Sequence, residues 1–145
     1  MVDISIEIRT TRDIARQILR HTSFNFQEYS QRYADPTADL GFVTREARLQ
    51  DSKNRQASHE TDDLKLQEQW EMRQQMLITI ARDTHQWAIQ NGIAKEQARA
   101  VLPEGCTETV LIMKGTLRSW VHYCMLRTQW DTQKEHREIA QKCWD

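Results

Sequence analysis

A long stretch without glycine or proline, residues 62–91, constrains the fold of this chain more than any other feature. Apolar residues recur through it at helical spacing, and the pair Asn91-Gly92 supplies a helix stop. The pattern predicts one long helix in the core of the protein. The positions that define its stripe are Leu66, Trp70, Leu77, Ile80, Ala81, Thr84 and Ala88.

Two other segments predict a small sheet. Residues 2–8 alternate between apolar and polar side chains, which is the period of a half-buried strand. Residues 107–113 are rich in β-branched residues and predict a second strand. Residues 34–61, by contrast, are polar and too long for a simple connection, which indicates a binding loop or lid, or a flexible segment.

Shorter helical patterns complete the fold class. A threonine at position 10 or 11 can cap the first helix, and Pro103 ends another. We therefore predict an α+β fold, a small sheet packed by several helices, in one domain over residues 1–145. The predicted shorter helices run from Thr10 or Thr11 to about Leu19, over residues 95–102, from Leu117 onward, and over residues 133–142.

Composition and charge narrow the class of protein. Of 145 residues, 39% are hydrophobic, and the formal net charge is -1, so no basic lobe indicates a nucleic-acid surface. The three cysteines are odd in number and lack a C-x-x-C pair, which argues against a disulfide framework and favours a reducing cytosol. No window approaches the roughly 18 apolar residues of a membrane span. We expect a cytoplasmic protein without a signal peptide or membrane partner.

Polar residues typical of a binding site are concentrated in residues 20–33. Arg20 and Arg32 carry guanidinium groups suited to phosphate or carboxylate, while Glu28 and Ser30 offer an acceptor and a hydroxyl. The segment has no glycine and little aliphatic character, so we interpret it as a site and not as core. A nucleotide-sized anion is the ligand that these residues favour.

The helix that begins at Leu117 carries polar side chains in two directions. Arg118 and His122 lie one turn apart on one side of its apolar stripe. Arg127 lies nine residues after Arg118, or about 180° around the helix. One helix therefore directs polar groups toward two different places.

Three separated segments, in order, resemble one family, the flavin-dependent thymidylate synthases. Residues 20–22 and 28–33 resemble its Arg-His-Arg-x-x-Ser and Glu-x-Ser-x-Arg-Tyr motifs, and residues 98–103 resemble its Ala-Arg-x-x-Leu-Pro segment. The third segment is similar to the family's C-terminal Arg-Ser helix and to the Ala-Gln-x-Glu pattern after it. It consists of residues 117–119, His122, Leu126-Arg127, Gln133 and Glu135.

The resemblance implies an enzyme that makes dTMP from dUMP. It implies methylenetetrahydrofolate as carbon donor, NADPH-reduced FAD as hydride source, and a homotetramer with sites between subunits. No nucleic-acid partner is implied, and the location would be the cytoplasm, or that of a host if a phage encodes the chain. The opposed directions of Arg118 and Arg127 agree with one helix serving two neighbouring sites.

Site residues are carried over from the family position by position. Arg127 is the expected catalytic residue, because a permanently protonated guanidinium stabilises negative charge on the activated uracil. The residues implied for dUMP are Gln17, Arg20, Glu28, Ser30, Gln31, Arg32, Arg99 and Arg127. Those implied for FAD are Arg20, His21, Thr22, Glu28, Arg118 and His122.

Three departures from the family pattern affect these expectations. Thr22 stands where the motif has its second arginine, which predicts weaker FAD binding. Residues 114–116 lack the asparagine usual before the Arg-Ser helix. The chain also begins after the family's upstream strand-helix region. We expect the C-terminal two-thirds or so of such an enzyme, and an isolated chain that folds poorly or is inactive.

Other readings remain open. Arg12, Arg16 and Arg20 with the basic loop 45–55 would suit a non-catalytic nucleotide-binding or nucleic-acid-binding module, although the near-zero net charge counts against it. An inactive remnant or a split-enzyme subunit is a third reading. Arg12 and Arg16 are otherwise expected on a solvated helix face.

Several conspicuous side chains are expected to serve packing. His59, His85 and His136 lack the spacing of metal ligands, so we expect surface or packing roles and propose no metal. The five tryptophans are interpreted as core or interface residues, and Cys124 as a buried inert thiol. Ser30 has no adjacent base, so a substrate contact is preferred to a nucleophile.

Overall fold

The computed structural model describes residues 2–145 and confirms an α+β fold. Strand β1 (Asp3–Thr11) pairs antiparallel with β5 (Glu108–Thr116), and β2 (Asn25–Glu28) pairs with the other edge of β5. The sheet order is therefore β1-β5-β2, with the last strand of the chain in the centre. Both predicted strands are confirmed and are longer than their patterns suggested.

Three helices pack on the buried face of this sheet. They are α1 (Arg12–Ile18), α5 (Leu117–Arg127) and α6 (Lys134–Trp144). Trp120 donates from Nε1 to the Ile4 carbonyl at 3.1 Å, which ties α5 to β1. The core that they enclose contains Ile8, Ile14, Ala15, Ile18, Phe24, Leu111, Met113, Trp120, Tyr123, Cys124 and Ala140.

The stretch that dominates the sequence is helical, but it is not a core helix. Helix α3 (Leu64–Gln90) begins at the predicted place, where the Asp63 carboxylate accepts from the Leu66 N–H at 3.0 Å. Of the predicted stripe only Ala81 and Ala88 are buried, whereas Trp70, Leu77 and Ile80 are 43%, 50% and 63% exposed. The prediction of a core helix was therefore wrong. The rest of the chain contacts α3 along one narrow stripe only, so the other faces of the helix stay exposed. That buried stripe is Gln74, Ile78, Ala81, His85 and Ala88.

The segment 20–33 corrects the prediction of a site without core. Strand β2 lies inside it, Phe24 is buried, and Phe26 packs against the core. A Cβ at Gly115 would lie 2.5 Å from Phe24 Cδ1, so this glycine makes room for the ring. Of the polar residues predicted to form the site, Glu28 therefore belongs to a strand of the sheet, and Arg20, Ser30 and Arg32 lie before and after that strand.

The polar stretch 34–61 contains short regular elements. Helix α2 (Pro36–Asp39) is capped by Asp35, and a hairpin is formed by β3 (Arg48–Gln50) and β4 (Ser58–Glu60). The predicted helix over 95–102 is instead α4 (Lys95–Ala98) followed by a 3-10 turn (Arg99–Val101). No helix within residues 2–145 is long and apolar enough to cross a membrane.

Most packing predictions for single side chains are confirmed. His85, His136 and Cys124 are buried, and His59 lies at the surface. Burial raises the pKa of the Cys124 thiol, which agrees with an inert packing residue. Trp120 is in the core. The other tryptophans, Trp70, Trp87, Trp130 and Trp144, are exposed, so an interface role for them stays a prediction.

Candidate functional site

A polar cavity of about 710 Å³ opens where α1 ends beside the α5–α6 connection. Gln17, Arg20 and His21 reach it from α1 and the turn after it, and Arg127 reaches it from the last turn of α5. The structure thus brings together four residues that the sequence placed at the nucleotide or flavin. The remaining lining residues are Gln56, Leu126, Asp131, Thr132 and Gln133.

Arg127 is oriented by a neutral histidine. Its Nε donates to His21 Nε2 at 3.0 Å. Burial, then the positive charge of Arg127 and the proximity of His122, lower the pKa of His21 to about 4. The His21 ring therefore accepts the hydrogen bond without a competing charge. It also packs edge-on against Tyr123, with ring centroids 5.0 Å apart. Arg127 keeps a fixed direction and an unneutralised positive charge at the cavity.

Gln17 is held on both sides of its amide. Its Nε2 donates to Gln133 Oε1 at 2.8 Å, and its Oε1 lies 3.3 Å from His136 Nδ1. His136 in turn lies 3.1 Å from the Tyr123 hydroxyl through Nε2. Gln17 therefore has little rotational freedom at the cavity wall.

A second group of predicted site residues lies outside this cavity. Arg32 pairs with Glu96 of α4 at 3.5 Å, and Arg99 donates to the Glu96 carbonyl at 3.3 Å. Ser30 is exposed, and the buried Gln31 has a side-chain Nε2 without a partner in the described part of the chain. Seven of the eight residues implied for dUMP are thus divided between two places in one chain, and Glu28 belongs to neither.

Glu28 does not line the cavity and forms an ion pair. Arg12 donates to its Oε1 at 3.0 Å, and the Thr109 hydroxyl donates to the same oxygen at 3.0 Å. The Arg12 side chain is only 15% exposed, so its prediction as a solvated residue was wrong. Arg16, by contrast, is exposed as predicted, in a surface pair with Glu104.

The other residues implied for FAD lie at the surface. Arg20, Thr22, Arg118 and His122 are exposed, and neither the two arginines nor His122 has an acidic partner within residues 2–145. Arg118 and His122 do not line the cavity that contains Arg127, so α5 does present polar groups to two places.

The basic loop is less available than its composition suggested. Arg45 donates to Asp13 at 2.7 Å and Arg48 donates to Glu135 at 2.6 Å, with both arginines largely buried. Their charges are neutralised inside the fold, which removes two of the four loop cations that the nucleic-acid reading used. Lys53 and Arg55 remain exposed.

Sequence reasoning missed several polar residues behind the cavity. Gln133 and Glu135 matched a family pattern, but no role was predicted for them. His136 was expected only to lie at the surface or to pack, and Tyr123 was not singled out. The hydrogen bond between His136 and Gln17 joins elements that are far apart in the chain. The one available signal was the run of four consecutive polar residues at positions 133–136, at the start of an amphipathic helix.

The chain is similar along its whole length to proteins of one family. A family model described as thymidylate synthase complementing protein matches residues 1–145. A flavin-dependent thymidylate synthase of Synechocystis sp. is 48% identical over 140 residues, which are 97% of this chain and 63% of the relative. A probable flavin-dependent thymidylate synthase of Paramecium bursaria Chlorella virus 1 is 44% identical, with the same coverage. The chain thus spans 63% of the length of these two relatives.

Solved structures show the same fold. A crystal structure of a UMP/dUMP methylase from Streptomyces cacaoi, bound with 5-Br UMP, matches with a TM-score of 0.84 and 24% identity. The match covers 97% of this chain and 66% of that one. The same methylase bound with 5-Br dUMP gives a TM-score of 0.79 and 25% identity, over 97% of this chain and 64% of that one.

Proposed function

The chain belongs to the thymidylate synthase complementing protein family, and we propose that it acts as a flavin-dependent thymidylate synthase that methylates dUMP to dTMP. One observation carries the proposal: Arg127, held by the neutral His21, shares a cavity with Arg20 and Gln17. The names of the Synechocystis and viral relatives support the same activity.

The chemistry of the cavity suits a nucleoside monophosphate. Arg20 is exposed and has no acidic partner in the part of the chain that the structure describes, so it can bind a phosphate. Arg127 would lie at the uracil and stabilise negative charge on the ring while the ring is activated. Gln17 would bind a polar edge of the nucleotide. Arg127 is therefore our candidate catalytic residue, and the other two are candidate binding residues.

The exposed nitrogen donors fit an FAD pyrophosphate. Arg20, Arg118 and His122 provide donors that no carboxylate of residues 2–145 occupies. Thr22 contributes only a hydroxyl, which weakens this set. When bound, reduced FAD would supply the hydride. Glu28 has both of its hydrogen bonds at Oε1, so Oε2 is left for a ligand.

A second copy of the chain would complete the nucleotide site. Ser30, Gln31, Arg32 and Arg99 lie outside the cavity, so a site that uses both groups must combine two subunits. Helix α3 offers an apolar surface for such an assembly. Its exposed large apolar residues include Met72, Met76, Leu77, Ile80 and Trp87. We propose a homotetramer on these grounds.

We propose the carbon donor, the flavin reductant and the location from the resemblance to the family. Methylenetetrahydrofolate would donate the carbon, and NADPH would reduce the flavin. The expected location is the cytoplasm.

The visible spectrum of the flavin tests the proposal directly. The purified chain is incubated with FAD and desalted, with and without dUMP. We expect a retained flavin band that dUMP shifts, and Arg127→Ala is expected to abolish the dUMP-dependent shift. Arg9→Ala is the matched control, because Arg9 is exposed and lies outside the cavity.

A wild-type chain that retains no flavin, with or without dUMP, would contradict the proposal unless Thr22 prevents flavin binding. A Thr22→Arg variant separates the two cases, because it restores the missing donor fork of the family motif. If Thr22→Arg is also colourless, the chain does not bind flavin by itself, which favours the reading as an inactive remnant or a split-enzyme subunit.

A further inference from the structure

A continuous line of hydrogen bonds supports the cavity wall from behind. It runs from Tyr123 through His136 to Gln17, and from there through Gln133 to Glu135. The distances along it are 3.1, 3.3, 2.8 and 3.0 Å. Gln17 and Gln133 line the cavity, whereas Tyr123 and His136 are fully buried. We call this line the relay.

Glu135 decides which partner donates in each hydrogen bond of the relay. Arg48 donates to its Oε1 at 2.6 Å. Burial alone would raise the pKa of Glu135, but the hydrogen bond from Arg48 and the charge of Arg45 hold that pKa below its ordinary value. The group is therefore a carboxylate, which can only accept. Gln133 must consequently donate to Oε2 through its own Nε2.

This direction passes along the relay because each amide has one donor end and one acceptor end. Gln133 turns its Oε1 to Gln17, so Gln17 donates through Nε2 and turns its own Oε1 to His136. The proton of His136 must then lie on Nδ1. Its Nε2 accepts from the Tyr123 hydroxyl. Burial, with the charge of Arg127, lowers the pKa of His136 to about 4, which keeps the ring neutral as this arrangement requires.

We propose that the relay is a positioning device that holds the amide of Gln17 with its N–H toward the cavity and its oxygen turned inward. The second N–H of Gln17 Nε2 has no acceptor within residues 2–145. The cavity wall therefore presents a donor at this point, and it selects an acceptor atom on the ligand. The inference rests on the proposed function in one respect, because it takes dUMP as that ligand.

A single change at Glu135 should reverse the relay. In Glu135→Gln, Arg48 still needs an oxygen acceptor where it now donates to Oε1 at 2.6 Å, so the new amide must turn its NH2 toward Gln133. Gln133 and Gln17 then both flip, and His136 moves its proton from Nδ1 to Nε2. At the cavity, an oxygen of Gln17 replaces the N–H.

Nitrogen NMR of the full chain with labelled histidine reads the tautomer. We expect the Nδ1–H tautomer of His136 in the wild type and the Nε2–H tautomer in Glu135→Gln. Glu138→Gln is the matched control, since Glu138 is an exposed carboxylate on the same helix and should leave the Nδ1–H tautomer unchanged. A merely structural role for Glu135 would not move a proton on His136.

Titration calorimetry with dUMP reads the consequence at the cavity. We expect Glu135→Gln to bind dUMP about tenfold more weakly than the wild type, the size of one lost hydrogen bond, and Glu138→Gln to bind it equally well. Should Glu135→Gln fail to fold, Gln133→Leu interrupts the relay while the Glu135–Arg48 pair stays. We then expect both tautomers of His136 and about a twofold loss of affinity for dUMP, because about half of the Gln17 amides keep their N–H toward the cavity.

Three results would overturn the relay. The first is an Nε2–H or doubly protonated His136 in the wild type at neutral pH. The second is an unchanged tautomer in Glu135→Gln or in folded Gln133→Leu. The third is a switched tautomer in Glu135→Gln without loss of dUMP affinity. A wild-type chain that binds no dUMP but shows the Nδ1–H tautomer contradicts the proposed function instead. The two failures are therefore distinguishable.

Discussion

Helices α3 and α5 present a contrast between two apolar stripes of similar appearance in the sequence. On α5, Trp120 and Cys124 are 4% and 2% exposed, because the sheet, α1 and α6 cover them, and only Leu117 and Val121 of its predicted stripe are exposed. On α3, Met76 and Ile80 are 59% and 63% exposed, although they also recur at helical spacing. An apolar stripe therefore predicts that a helix has a partner, but not that the partner belongs to the same chain.

The contrast extends to polar groups. Around α5 and α6, His21, His136 and Gln17 are held by hydrogen bonds that connect three helices or the turns beside them. On α3, the polar residues are mostly solvated, and its N-terminal bond to Asp63 is local. The cavity thus lies at the end of the molecule where hydrogen bonds between elements hold the polar side chains in place. Residues at that end should respond strongly to substitution, and those on the exposed face of α3 should respond weakly.

The largest expected effect is a core truncation beside α5. Leu111 is fully buried in the central strand, and Leu111→Ala should lower the free energy of unfolding by about 4 kcal/mol, because it removes apolar contacts and leaves a cavity. Chemical denaturation of both proteins at one concentration measures the loss. A change below about 1 kcal/mol would mean that the α1–α5–α6 core is not the main source of stability.

Acid should act next most strongly, through His136. Its pKa is near 6.5 in the unfolded chain and about 4 in the folded one, so the unfolded state binds the proton first as the pH falls. The stability associated with the neutral, buried His136 is fully present above pH 6.5 and is lost as the pH falls to about 4. The loss lowers the free energy of unfolding by roughly 3 kcal/mol.

A His136→Asn variant isolates this contribution, since asparagine keeps a donor near Nδ1 but does not titrate. Its unfolding free energy should depend less on pH than that of the wild type between pH 6.5 and 4. If the two stability curves run parallel across that range, His136 is not buried as a neutral ring.

The smallest effect on folding is expected at the exposed face of α3. Ile80→Ser should change the free energy of unfolding of the dilute, dissociated chain by less than about 0.5 kcal/mol, because the side chain is already solvated. The same change should weaken self-association at least tenfold, as sedimentation velocity over a concentration series would show.

The matched substitution is Ile78→Ser, at a buried position on the same helix. It should destabilise the dissociated chain by about 2 kcal/mol or more, because it puts a hydroxyl in place of a buried side chain. If Ile80→Ser were as costly as Ile78→Ser in the dissociated chain, the contrast between α3 and α5 would be wrong.

Local patterns predicted a large part of this architecture. The alternation of residues 2–8, the stop at Asn91-Gly92 and the cap of the first helix each depend on neighbours in the chain, and the structure has β1, α3 and α1 at those places. Even there one detail differed: Thr11 precedes α1, but its hydroxyl donates to Asp13 at 2.6 Å and does not cap the helix.

The short elements could not be predicted in the same way. Strand β2 has four residues, and it is a strand only because β5 lies beside it. The hairpin of β3 and β4 has three residues on each side, which is too short for a period to appear. Strands of this length are stabilised by pairing, which is a property of the fold and not of the segment.

The sequence by itself determined the fold class, the helix and strand periods, and the identities of Gln17, Arg20, His21 and Arg127, because these follow from local order and from motifs. Only the tertiary structure decided that these four share a cavity, that Glu28 faces Arg12, and that a carboxylate at 135 sets the direction of an amide at 17. Hydrogen bonds and burial depend on distances between residues that are more than a hundred positions apart in the chain, such as His21 and Arg127. No local pattern contains those distances.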